Sequence, residues 1–184
     1  MPRLVGGRIC LDFVNTADWS PAGGLLKDKL VTAADVAVWC RGVGLDAAAS
    51  RHGTLAELRA FRAALRRLLL RAIEGGSAAP NDLAPLNAAL QSMEAPVLCS
   101  TGDGYGFGSG VKLEQAVAVS AAGLLARTED RVRLKYCPGE DCGWMFLDES
   151  RNRRRTWCAM DMCGNRAKAR RHYRRKIGRA PDGA

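Results

Sequence analysis

Histidine is scarce in this 184-residue sequence, with His52 and His172 the two present. The first 130 residues hold only His52, with no nucleophile elbow and no metal-ligand spacing, so an enzyme is the weakest reading of that part. Long apolar runs are lacking too: nothing approaches the roughly 20 residues that span a bilayer. The opening MPRLVGGRIC has no apolar stretch of the kind that makes a secretory signal. A cytoplasmic protein with no membrane partner is therefore expected. No internal repeat is visible. The glycine-rich stretch from Gly102 to Gly110 contains no G-x-G-x-x-G, and Lys112 is not preceded by glycine, so a phosphate loop is set aside in favour of a hairpin or loop.

What is present is enough apolar residue, 47%, to build a core. Arg8 to Asn15, rich in Ile, Phe and Val, predicts a strand, paired with Leu4 and Val5 through Gly6-Gly7. A loop follows through Pro21-Ala-Gly-Gly. Thr32 with Asp35, and Thr54 with Glu57, have the spacing of capping boxes that open helices. In the second of these, Leu55, Leu58, Phe61, Leu65, Leu68, Leu69, Ala72 and Ile73 recur at helical spacing, while Arg59, Arg62 and Arg66 lie elsewhere on the circumference. Pro80 opens a third helix, residues 96–101 predict a strand, and residues 111–127 another helix. Thr128-Glu-Asp reads as a hinge.

Charge divides the chain at that hinge. Residues 1–130 carry 13 Lys and Arg against 13 Asp and Glu, whereas residues 131–184 carry 15 against 6 and so account for all of the net +9. Charge concentrated in a short segment is a footprint for polyanions. The same segment holds four of the seven cysteines, as Cys137-x4-Cys142 and Cys158-x4-Cys163, separated by fifteen residues. Two matched pairs in an arginine-rich segment too small for a core of its own point to one tetrahedral, structural zinc ion. Four cysteines close the coordination shell and leave no open position for catalysis; an iron–sulfur cluster is the competing occupant. Cys10, Cys40 and Cys99 stand in apolar surroundings and read as core.

The first pair caps a predicted hairpin, residues 131–136 and 143–147, and Cys163 begins a helix. On that helix Ala169, Tyr173 and Ile177 form a stripe that would pack on the hairpin, leaving Lys168, Arg171 and Arg175 outward, with His172 and Arg174 at the flank. Arg151, Arg153, Arg154 and Arg155 form a second cluster, on a turn or short helix capped by Ser150. Arginine bridges phosphate oxygens with two parallel bonds, and the segment is nearly all of one sign.

Cys137-x4-Cys142-Gly-Trp-Met-Phe-Leu-Asp148, followed by Trp157-Cys158-x-Met160-x-x-Cys163-Gly164-Asn165-Arg166-x-Lys168, resembles the CGNR zinc finger. Cys10-Leu-Asp-Phe-Val-Asn-Thr16 resembles the opening of the ABATE domain that usually precedes it in a bacterial family of proposed stress-induced transcription regulators. The resemblance implies an α+β protein: a mixed α/β domain over residues 1–130 with several helices and a small sheet, then a treble-clef-like finger, hairpin plus helix, over 131–184. It implies double-stranded DNA as partner, and the two basic clusters supply the expected contacts: Arg153, Arg154, Arg155, Arg166, Lys168, Arg170, Arg171, Arg174 and Arg175. A zinc-stabilised RNA-binding module, with Trp144, Phe146 and Trp157 as stacking candidates, is the alternative. Asn165 reads as a partner of a zinc-bound sulfur or as a helix-start cap. Asp148 reads as a partner of one of the arginines at 153–155 or as a strand end. Asp12 and Asn15 either line a pocket beside Trp19 for a small-molecule effector or brace a turn. A homodimer through the neutral domain is expected.

Overall fold

The computed structural model describes residues 3–20, 23–45, 53–93, 98–101, 104–107, 111–140 and 142–177. At its centre lies a helix of six residues, α1 (Ile9–Val14), with Cys10 through Val14 all buried. The predicted strand is thus wrong. So short an apolar run carries no decisive period, and its neighbours settle the matter: α1 is packed against two long helices, α3 (Leu55–Ile73) and α5 (Leu113–Ala126), and needs no polar face. The Arg8 carbonyl accepts the N–H groups of Leu11 and Asp12, and the Asp12 carboxylate accepts that of Gly6 at 2.8 Å. Position 6 excludes a side chain, since a Cβ there would stand 2.6 Å from the Cβ of Leu11.

Beyond α1, two strands the sequence did not signal flank the expected loop at residues 21–24: β1 (Ala17–Trp19) pairs antiparallel with β2 (Leu25–Asp28). Both capping boxes form as expected, opening α2 (Ala33–Gly42) and α3. The stripe Leu58, Phe61, Leu65, Leu68 and Leu69 is buried, but so are Arg62 and Arg66 on the same helix, at 1% and 5% exposure. For Arg62 the cost of burying a cation is offset by the Asp28 carboxylate and the Thr16 hydroxyl, which its guanidinium donates to. After α4 (Pro80–Gln91), β3 (Leu98–Thr101) pairs with β4 (Gly104–Phe107), so the glycine-rich stretch supplies one arm of a hairpin. The predicted hinge is a single helical turn, α6 (Thr128–Arg131).

The last hairpin joins β5 (Leu134–Tyr136) to β6 (Met145–Leu147), with Leu134 opposite Leu147 and Tyr136 opposite Met145. Alternate residues of a strand face opposite ways, and β6 uses both faces. Met145 and Leu147 enter the core built by the first 130 residues, together with Leu134. Trp144 and Phe146 enter a second core with the four cysteines of the two pairs. Asn15 fastens the strand: its amide nitrogen donates to the Met145 carbonyl and its amide oxygen accepts the Met145 N–H, each at 2.8 Å. Leu147 N–H reaches the Gly6 carbonyl at 2.8 Å. The chain is thus parted by charge but not by packing.

Replacing Asn15 with Ala should leave the Met145 N–H and carbonyl buried without partners, at roughly 1 to 3 kcal/mol for each group. Urea unfolding followed by tryptophan fluorescence would read the loss; a change below about 0.5 kcal/mol would mean that water replaces the amide.

Candidate metal centre and basic surface

Cys137 follows β5 directly, with its N–H on the Trp144 carbonyl at 2.7 Å, so the first pair sits on the end of the hairpin. Cys142 N–H turns back to the Gly139 carbonyl. Gly143 then takes a left-handed φ of +55°, and a Cβ there would press within 3.0 Å of Trp19 backbone and side chain. The second pair is closed by a π-helical turn, Met160–Gly164, in which Gly164 N–H spans back to the Ala159 carbonyl. Such a turn carries an extra residue and re-aims its side chains, here bringing Cys163 inward at the start of α7 (Asn165–Ile177).

The four sulfurs lie within 4.8 Å of one another, and Cys142–Cys158 and Cys158–Cys163 are separated by 3.5 and 3.6 Å. A tetrahedron of bonds of about 2.3 Å to one zinc ion has edges of roughly 3.8 Å. The spacing fits a single ion; several irons with bridging sulfides would hold the cysteines further apart. The sulfurs are too far apart for disulfides, and all four residues are buried, at 1 to 4% exposure. Hydrogen bonds from Cys142 and Cys158 pull the Cys137 thiol down, while Cys142 and Cys158 are pushed up because they hold protons against that thiolate. Four buried thiolates cannot coexist without a cation, and a divalent ion lets all of them ionise. Cys10 and Cys40, by contrast, are core residues as expected, each pushed up to about 11 by burial. The Cys99 side chain and His52 fall outside the described residues.

The basic residues around this centre are not equivalent. Arg153, Arg154, Arg166, Lys168, Arg171, Arg174 and Arg175 are exposed. Arg155 is half-buried, and its guanidinium turns inward. Its guanidinium lies 4.3 Å from the centre of the Phe146 ring and donates to the carbonyls of Val5, Trp157 and Cys158. Arg170 and Arg174 pair with Glu140 of the first knuckle, at 3.4 and 4.0 Å, and tie α7 to it. The stripe expected to pack on the hairpin does not do so: Ala169 and Tyr173 are exposed, because α7 turns the face of Ala167, Arg170 and Arg174 toward Glu140 and Trp157 instead. Ile177's side chain lies outside the described residues.

Asp148 is fully buried and organises the second cluster. Its carboxylate takes the Lys135 ammonium at 2.6 Å, the Ser150 hydroxyl and N–H, and the Arg155 backbone N–H, so the arginine it meets is met through the main chain. Burial alone would raise its pKa, but these donors outweigh that and hold it at about 2. Ser150 accepts the Arg153 N–H in a turn and caps no helix, and Arg153 sits at φ 51°. At the metal, Arg166 reaches the Cys163 sulfur at 3.4 Å; Asn165 is exposed and its N–H bonds the Met160 and Met162 carbonyls.

Asp12 and Asn15 line a cavity of about 370 Å³ with Lys29, Trp39 and Trp144. Trp19 stands apart from it, donating its indole N–H to the Val14 carbonyl and stacking beneath Arg66. The sequence offered no signal for Trp144 in this role, because it belongs to the other charge segment.

The family model for the CGNR zinc finger matches residues 133–176, and that for ABATE, described as "putative stress-induced transcription regulator", matches residues 7–128. The chain belongs to the ABATE family. No curated protein matches it. This ABATE protein therefore carries a CGNR finger with one structural zinc on Cys137, Cys142, Cys158 and Cys163. Among the described residues no helix is long and apolar enough to cross a membrane.

Zinc sites of this kind supply about 10 kcal/mol or more of folding energy. Cys163→Ala, or chelation of the wild type, should release zinc and abolish the ordered finger. Because β6 lies in both cores, the thermal midpoint of the remainder should fall as well. Metal analysis and circular dichroism would read both, and a retained fold without metal would overturn the assignment.

Proposed function

We propose that this ABATE protein is a zinc-dependent transcription regulator whose finger grips duplex DNA. The observation that carries the reading is the exposed cationic surface of α7: Lys168, Arg171 and Arg175 share one face, and all three are exposed. The exposed Arg153 and Arg154 add a second positive site on the turn organised by Asp148. Zinc and the Glu140 ion pairs would fix the angle at which α7 leaves the finger, as a groove-reading helix requires. An RNA partner is disfavoured, since of the three stacking candidates Trp144 and Phe146 are buried and Trp157 is half-buried against the finger core, which leaves little aromatic face for an unstacked base. Both matched families describe regulators and fingers, not enzymes.

The first domain would supply the signal and the symmetry. The cavity beside Trp144 is at the lower end of the size range of small-molecule sites, and an effector there would touch residues of both parts at once. Regulators that read two half-sites do so as dimers, and the neutral domain is the part free of charge repulsion. Native mass spectrometry of protein purified gently from its host should show a bound small molecule, and an adduct-free spectrum at every expression condition would sink the effector.

Selection from a random duplex pool at about 0.15 M salt, with structured RNA as competitor, should enrich one motif, palindromic if the dimer holds. Changing Lys168, Arg171 and Arg175 to Ala should leave zinc bound and lower the slope of log affinity against log salt by roughly 2 to 3. An unchanged slope, or loss of all binding to the RNA, would refute the proposed grip.

A further inference from the structure

Arg66 is a buried cation that the regulator reading does not use. One helical turn away, Arg62 has a carboxylate, Asp28. Arg66 makes no ion pair among the described residues: its NH1 donates to the Gly143 carbonyl at 2.8 Å, its guanidinium stacks 4.5 Å from the centre of the Trp19 ring, and its Nε has no hydrogen-bond partner. At 5% exposure, water does little for that charge. An anion is needed nearby.

Gly143 immediately follows the ligand Cys142, and Arg66 shares the lining of a cavity of about 230 Å³ with Cys137 and Gly139 of the same knuckle. Glu74 lines the same cavity, but its carboxylate is 60% exposed and lies 3.8 Å from Arg71, with no ion pair to Arg66 among the described residues. The remaining anion is the metal centre itself. Two positive charges of a zinc ion set against four thiolates leave a net charge of minus two. From the finger's side Arg166 reaches Cys163 at 3.4 Å and supplies one compensating charge. Arg66 stands at the knuckle that carries the other pair of ligands.

We propose that Arg66, contributed by α3 of the first domain, is the second counter-ion of the finger's zinc tetrathiolate. It is a positioning residue: it touches the knuckle carbonyl and acts on the sulfurs through the field of its charge. Two guanidiniums, one from each part of the chain, then bring the centre to neutrality. Retention of metal by the finger depends on the docking of α3, and a first domain displaced from Gly143 leaves the site with an uncompensated charge. The inference stands independently of DNA binding.

The test uses the full chain loaded with cobalt in place of zinc. Arg66→Met keeps the apolar stem and removes the charge. Outer-shell partners are worth about 10- to 100-fold in metal affinity. Transfer of metal from this variant to a chromophoric chelator should therefore show affinity weakened by at least about 10-fold, and the sulfur-to-cobalt charge-transfer band should move to lower energy because the sulfurs lose a stabilising cation. A role confined to packing would lower the thermal midpoint and leave the band in place, and that result overturns the proposal, as does wild-type affinity. Arg66→Lys keeps the charge while losing the planar fork, and carries the test if Arg66→Met fails to fold. A band at the wild-type position with affinity within a few-fold of wild type supports the counter-ion, and the shift or loss predicted for the methionine variant refutes it. Arg166→Met, made in parallel, should move the band in the same direction.

Discussion

A strand of three residues carries the connection between the parts of this protein. β6 presents Met145 and Leu147 to one core and is flanked by Trp144 and centred on Phe146 for the other. A strand buried on both faces has no tolerance for register error, because a one-residue slip exchanges its faces. The Asn15 amide removes that freedom by behaving as one more residue of backbone, giving and taking a bond at Met145. Trp144 adds its indole N–H to the Ala17 carbonyl and the Asp18 carboxylate. The first knuckle is held to the same surface, with Trp19 N–H on the Cys142 carbonyl and Arg66 on that of Gly143. The ion and the first domain thus fold one another's neighbours.

This arrangement explains how so basic a segment folds. A short chain with few apolar residues cannot bury enough surface alone, and like charges oppose compaction. Here the arginines are sorted by task. Arg155 is spent inside, over Phe146 and on four backbone carbonyls. Lys135 is bound to Asp148 and to the carbonyls of Arg153 and Arg155, which closes the turn that exposes Arg153 and Arg154. Arg170 and Arg174 are anchored by Glu140. Arg153, Arg154, Lys168, Arg171 and Arg175 face outward, with no ion pair among the described residues.

The features legible in sequence were those whose geometry is local. The two Cys-x4-Cys pairs, the capping boxes at Thr32 and Thr54, the last hairpin and the helix after Cys163 all declare themselves within a few residues, because a knuckle, a cap or a tight turn is satisfied by its own neighbours. What was not legible depends on distant partners. Residues 9–14 have the composition of a strand and become a helix because α3 and α5 enclose them. Arg62 and Arg66 have the composition of a helix surface and are buried, one by Asp28 and the other by the finger. Asn15 and Asp12 were visible as polar residues in an apolar run, and the brace reading was available for both, but their partners, Met145 and Gly6, lie across the chain or on the far side of a turn. Arg155 shows the limit most clearly: in a run of arginines, which one turns inward is decided by Phe146 and the Val5 carbonyl, neither of which is near it in sequence.

Among the described residues no linker separates the two parts, so a regulator of the proposed kind would have nothing to relax between signal and response. The cavity at the junction is walled by Asn15, which clamps β6, and by Trp144, which begins it, with the Lys29 ammonium 4.0 Å over the Trp144 ring. A molecule entering it would compete with the contacts that seat the hairpin. Any shift of that seat is passed to Cys142 and Gly143 through two bonds of backbone, and from there to the sulfur that helps to fix the start of α7. Packed elements answer such pressure by moving between discrete positions and not by bending. On the proposed function, the direction of α7 is the quantity on which an effector in the first domain would act, through the strand that both cores share.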